Sequence, residues 1–206
     1  MAKVAHVRRL PAATRIFSQG DENVRAHAVI EGAVRILQSG SEGGQVVMRF
    51  VGPGQIFGAV AIFTDGRYPA DAETLTETVE ASWTETELND AIAACPTLGV
   101  NLIRIVGRRL QEVQHRVREL ATQSAEQRVA RAVLRLAQQA GRKTDGGTTI
   151  AFPLRRKDVA DISGTTLHTA SRILAAWEKQ GIVFNQHRRL TIQHLSRLRG
   201  MAEDSR

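Results

Sequence analysis

His168, Ser171 and Arg172 stand at i, i+3 and i+4 within TTLHTASRILAAWEKQ, a spacing that places all three on one face of a helix. Their chemistry is hydrogen-bond reading. The planar fork of an arginine matches the O6 and N7 acceptors of guanine, a hydroxyl serves several base edges, and a neutral imidazole donates or accepts. Ala170, Ile173, Leu174 and Trp177 fall at i, i+3, i+4 and i+7, so the same helix has a core stripe behind the free face.

Two short helices must hold these side chains. A first helix over Arg156–Ile162 offers Val159, Ala160 and Ile162 to the second, and small Ala160 permits close packing. Gly164 can supply a positive-φ turn, Thr165 or Thr166 can cap the second helix, and Gly181 sits where that helix stops. Ile182–Phe184, then Asn185, Gln186, His187, Arg188 and Arg189, then Leu190–Ile192 read as a hairpin with a basic tip. A solvated face on an ordinary bundle helix has the same spacing, but the basic hairpin argues for a winged helix-turn-helix on duplex DNA. His168, Ser171 and Arg172 are then the base readers. Arg155, Arg156, Lys157, Thr165, Thr166, Arg188 and Arg189 are the phosphate candidates.

Charge placement agrees. The 206 residues carry 28 Lys and Arg against 21 Asp and Glu. Residues 1–124 hold 13 against 14, and residues 125–206 hold 15 against 7. A basic half beside a neutral one indicates one domain built for phosphates and another for something else. No apolar run approaches the roughly 18 residues of a spanning helix, and no signal core precedes the first strand, so a cytoplasmic protein with no membrane partner is expected. Cys95 alone permits neither an internal disulfide nor a cysteine-ligated iron–sulfur cluster, and it reads as a small buried apolar residue. The six histidines show no HxH, HExxH or CxxCH spacing, so no metal site is assigned; His27 reads as a core or rim residue.

Upstream, short β-prone runs cover Thr14–Phe17, Arg25–Glu31, Ala33–Gln38, Gln45–Val51, Ala72–Thr76 and Val79–Thr84, with Gly32 and SGSEGG (39–44) as turns. After Pro96 a helix from Thr97 to about Ala121 carries Ile103, Val106, Leu110, Val113, Val117 and Leu120 at spacings of 3, 4, 3, 4, 3, a coiled-coil seam for a second copy of the chain. A second stripe, Leu98, Leu102 and Ile105, can pack on the strands. Ser124 and Gln127 form a capping box opening a helix to about Ala140. RKTDGGT (142–148) reads as a loop leading to a strand over Thr149–Leu154. The upstream strands, at this spacing, suggest an antiparallel sandwich or barrel rather than alternating β-α units, so the predicted class is α+β, with a strand-built sensor domain over 1–96, a dimerisation helix over 97–121 and a winged helix-turn-helix over 122–206.

LRRKDVADISG, TTLHTASRIL, WEKQGIV and RRLTI together resemble the DNA-binding domain of the cyclic AMP receptor protein and fumarate-nitrate regulator family of transcription regulators. The order of strands, GPGQIFG and YPADAETL resembles that family's antiparallel cyclic-nucleotide-binding roll. The resemblance implies a homodimeric regulator that recruits RNA polymerase, activates or represses, and carries Ser171 and Arg172 as its base-reading pair; a glutamate usual before the threonine is His168 here. It implies an effector pocket about Phe57, Gly58, Ala59, Arg67 and Tyr68. Ala59 and Tyr68-Pro69 stand where nucleotide-binding members have a glutamate and an arginine-serine pair, so cyclic AMP is not expected, although Arg67 lies next door. The resemblance leaves haem open, with His6 and His115 as candidate ligands. Two rivals are a metal-dependent cupin-type enzyme, which lacks the expected two-histidine-plus-glutamate cluster, and an architectural DNA binder without sequence preference.

Overall fold

The computed structural model describes residues 5–40 and 44–203. Residues 41–43 of the loop 39–44 expected above lie outside the described residues. Residues through Ser39 together with Val51–Ala121 form one compact unit, and Gly40–Phe50 group with Thr122 onward in a second.

The first unit is built from two antiparallel sheets. Its strands are β1 (His6–Leu10), β2 (Arg15–Phe17), β3 (Arg25–Glu31), β4 (Val34–Ser39), β6 (Ile56–Phe57), β7 (Asp71–Thr74) and β8 (Thr78–Thr84), whereas β5 (Gln45–Val51), apart from Val51, groups with the second unit. The orders within it are β1-β8-β3-β6 and β2-β7-β4. Apolar residues at alternate positions close the space between them, with Phe17, Val29, Val34, Val51, Phe57, Tyr68 and Ala72 in one cluster. Each large member contributes about 1.5–3 kcal/mol by leaving water. Gly32 is obligatory between β3 and β4, because its φ is +88° and a Cβ there would meet the Glu77 carbonyl oxygen at 2.3 Å. β1 and β6 were not predicted. β1 is an edge strand whose residues are mostly exposed, and β6 has two residues inside a glycine-rich run, so neither offers a run of alternating apolar residues.

Two helices complete this unit. α1 (Glu85–Ala94) starts at a reciprocal box: Glu87 N–H donates to the Thr84 hydroxyl at 3.2 Å, and Thr84 N–H to the Glu87 carboxylate at 2.7 Å. That T-x-x-E signature was legible and was missed. α2 runs from Pro96 to Thr122, matching the predicted long helix to within a residue at each end. Leu102 and Leu98 pack with Ala26, Ala81, Trp83 and Leu88, as the second stripe required; Ile105 is half-buried. Cys95, between α1 and α2, is exposed rather than buried, because it occupies a helix junction and not an inward position. No single described helix is long and apolar enough to cross a membrane.

The second unit contains α3 (Ala125–Ala140), β9 (Gly141–Thr144), β10 (Gly147–Ile150), α4 (Arg156–Ser163), α5 (Leu167–Lys179), β11 (Val183–Gln186), β12 (Arg189–Ile192) and α6 (Leu195–Glu203). The Ser124–Gln127 box opens α3, with bonds of 2.9 and 3.2 Å. Its strands form one sheet in the order β11-β12-β10-β9. The expected loop 142–148 is therefore a hairpin turning at Asp145-Gly146, a signal that the surrounding polar residues obscured. The strand after it ends at Ile150 rather than Leu154.

Candidate nucleic-acid interface and the cavity in the roll

α4 and α5 make the expected helix pair. Gly164 has φ +63° between them, Thr166 caps α5 by accepting Thr169 N–H at 3.1 Å, and Gly181 has φ +67° just past the C-cap Gln180. Ala170, Ile173, Leu174 and Trp177 are all at most 6% exposed, and the Trp177 indole N–H donates to Glu126 at 3.0 Å. That burial fixes the roll of the helix about its axis. The free face then presents His168 and Arg172 to solvent, with Ser171 half-buried beside them. Neither His168 nor Arg172 has a hydrogen-bond or charge partner among the described residues.

The phosphate candidates divide. Arg155 N–H and guanidinium both bind Asp158, at 2.7 and 2.9 Å, so this pair closes the start of α4. Arg156 spans to α5, donating to the Ser171 carbonyl and to Glu178 at 3.3 Å, and Lys157 pairs with Asp161. Thr166 uses its hydroxyl in the cap, and Thr165 is half-buried, its N–H bonded to the Ala160 carbonyl at 3.0 Å. Arg189 reaches the Ala151 carbonyl at 3.5 Å. Arg188 has no side-chain partner among the described residues. It sits with His187 at the two-residue tip of the β11–β12 hairpin, shorter than the five-residue tip expected, since Asn185, Gln186 and Arg189 join the ladder. Both tip residues have positive φ, 51° and 63°, the type I′ pattern that usually takes Asn-Gly. Non-glycine residues in that region cost roughly 1–2 kcal/mol each, strain typical of functional turns. The sequence reading also passed over Leu167, which is 49% exposed at the first position of α5.

On α2 the six seam residues are all exposed, from 48% at Leu120 to 73% at Ile103. They form one continuous apolar stripe.

A cavity of about 570 Å³ lies in the roll. Its lining comes from the edge strands β1 and β2, from β3 and β8, and from the loop Asp21–Asn23. Register places His6 and His27 on either side of Ser82, and Arg8 beside Glu80. His27, 2% exposed, bridges Glu80 at 2.9 Å and the Tyr68 hydroxyl at 3.0 Å. Arg8 holds the other Glu80 oxygen. Burial alone would raise the Glu80 pKa, yet the hydrogen bond and charge of His27, joined by Arg8, bring it below its ordinary value. Tyr68 lies stacked on Phe17 with centroids 3.6 Å apart. Its hydroxyl accepts Arg25 N–H at 2.7 Å and donates to the Arg25 carbonyl at 3.1 Å; burial pushes its pKa up.

Of the predicted pocket residues only Tyr68 lines this cavity. Phe57 belongs to the closed core, Ala59 packs toward Trp83 and Leu88, and Arg67 pairs on the surface with Glu22 at 2.5 Å. Gly58 presses its backbone, at φ +74°, to within a Cβ contact of 2.9 Å from the Arg25 carbonyl and the His27 ring. The signal for the real lining was the pair HVR and RAH: alternate polar side chains at 6/8 and 25/27 share the inward face of antiparallel strands. His6 pairs with Glu87 at 2.8 Å, and His115 is exposed beside Arg118. No described cluster of three His, Cys, Asp or Glu could hold a metal ion.

Comparison with known proteins agrees with both units. Residues 7–95 match the cyclic nucleotide-binding domain, and residues 127–201 the Crp-like helix-turn-helix domain. The cyclic AMP receptor protein of Thermus thermophilus is 30% identical over 177 residues, 85% of this chain and 79% of that one. A CRP-like cAMP-activated global transcriptional regulator of Mycobacterium tuberculosis is 27% identical over 188 residues, 91% and 84% of the two chains. In fold, FixK2 from Bradyrhizobium japonicum superposes with a TM-score of 0.81 at 23% identity, covering 98% of this chain and 100% of its own.

Proposed function

The chain belongs to the cyclic AMP receptor protein and fumarate-nitrate regulator (Crp/Fnr) family of DNA-binding transcription regulators, and from that premise we propose that it acts in the cytoplasm as a homodimer on a pseudo-palindromic promoter site. It works as a regulator, not as an enzyme. The α2 stripe joins the protomers, and each α5 enters a major groove, with half-sites roughly 34–36 Å apart. His168, Ser171 and Arg172 select bases; Arg188 and Arg189 anchor phosphates, with Arg155, Arg156, Lys157 and the α5 entry threonines closing on the backbone around them. The bound dimer recruits RNA polymerase.

The observation that carries this reading is the contrast across α5: a buried stripe on one side and, on the other, an arginine with no partner among the described residues. For the roll, relatives are named for cyclic AMP, but here Ala59 packs into a helix cluster and the Tyr68 hydroxyl is engaged by the Arg25 backbone and His27. The roll is therefore read as taking another effector. Selection from a randomised duplex pool, followed by competition against random duplex at stated salt, tests the function. A two-fold symmetric site preferred by 10³-fold or more is expected; equal affinity for both duplexes would leave only an architectural binder.

A further inference from the structure

Two of the residues lining the cavity in the roll, Arg25 and Ser82, hold a donor with no hydrogen-bond acceptor among the described residues. Arg25 Nε donates to Ser82 Oγ at 3.1 Å, but the buried Nη2 of the same guanidinium has no hydrogen-bond partner among the described residues. Glu87 lies 3.5 Å from it, an ion pair without a hydrogen bond. Ser82 is 4% exposed; its oxygen accepts from Arg25, and no acceptor for its own proton occurs among the described residues. The remaining charged groups of the lining are engaged. Arg8 and His27 share Glu80, Asp21 accepts Ser18 N–H at 2.8 Å, Glu22 pairs with Arg67, and His6 with Glu87. Buried donors without acceptors are rare in folded proteins and mark places where something else supplies the acceptor. Ile16 and Phe17 give the same cavity an apolar portion.

We propose that this cavity binds a small organic carboxylate, whose oxygens accept from Arg25 Nη2 and the Ser82 hydroxyl while its apolar body lies on Ile16 and Phe17. A carboxylate suits a guanidinium edge by charge and by planar geometry. The volume is that of a small-molecule site. The apolar lining separates an organic acid from inorganic phosphate, which offers matching charge but nothing for Ile16 and Phe17. The site is built on β1, β2, β3 and β8 and shares only Tyr68 with the nucleotide pocket that the family resemblance implied.

Calorimetric titration of the whole protein with benzoate, hexanoate and inorganic phosphate tests the proposal, with melting temperature as a second readout. Saturable binding of at least one organic acid, one per chain, is expected, with phosphate weaker by roughly tenfold or more. Ser82→Ala should weaken binding by roughly tenfold, and Ile16→Trp, which fills the apolar side, should abolish it. Arg25→Gln should also abolish it; as that change removes an ion pair, Ser82→Ala and Ile16→Trp decide the matter if it does not fold. Absence of binding by both organic acids, binding undiminished in Ser82→Ala and Ile16→Trp, or phosphate binding as tightly overturns the proposal. The titration contains no DNA, so it stands or falls separately from the operator selection.

Discussion

At the scale of single residues, the protein separates side chains that are committed from those that are free. Arg155, Arg156 and Lys157 already face carboxylates, whereas Arg172 meets none among the described residues. Arg172→Ala should therefore cost about 1–3 kcal/mol of binding and relax preference at one base pair per half-site, measured by competition against operators mutated singly. Retained discrimination at every position would remove Arg172 from the reading set. In the roll, Glu80 titrates below its ordinary value because His27 and Arg8 outweigh the cost of burial. A carboxylate depressed on folding contributes stability above its unfolded pKa, about 4.5, and that contribution is lost as pH falls through the folded value. Glu87, held down to about 2 by the Thr84 N–H and His6, acts in the same direction. Melting temperature should fall steadily as pH drops below about 4.5. Glu80→Gln should be less stable at neutral pH and show a shallower acid slope; an unchanged slope would show that the buried pair does not contribute.

Among the elements, the β11–β12 hairpin carries the clearest conflict between folding and use. His187 and Arg188 occupy left-handed positions that asparagine and glycine fill at lower cost. Replacing them by His187→Asn with Arg188→Gly should raise the stability of this unit by about 1–2 kcal/mol in urea melts. The same change should weaken DNA binding and lower the slope of log affinity against log salt by roughly 2 for a dimer, one phosphate contact per protomer. A stabilised hairpin with an unaltered slope would mean that Arg188 does not touch DNA.

For the whole molecule, the charge segregation sets a near-neutral unit apart from a basic one, and the exposed stripe on α2 is where the proposed homodimer would close. Val113→Lys places a charge at the middle of that stripe, where Val113 is 59% exposed in the single chain. It should shift the protein to monomers in sedimentation equilibrium and reduce affinity for a two-half-site duplex by roughly 10²-fold or more, by removing the effective concentration of the second reading helix; a dimer that persists would place the interface elsewhere. Periodicity and caps were sufficient for α2, α3 and α5, because a 3.6-residue stripe and an S-x-x-Q or glycine stop act over one or two turns. β3 and β5 were equally legible from short runs of apolar and β-branched residues. The cavity was not, because its lining is assembled from strands up to 76 positions apart in the chain, His6 against Ser82, and register is a property of the pairing rather than of either strand. The same holds for charge: sequence alone determined that the C-terminal half is basic, but only tertiary packing decided which cations meet a carboxylate and which remain free for DNA, since ion pairing depends on separations of a few ångströms that composition does not encode.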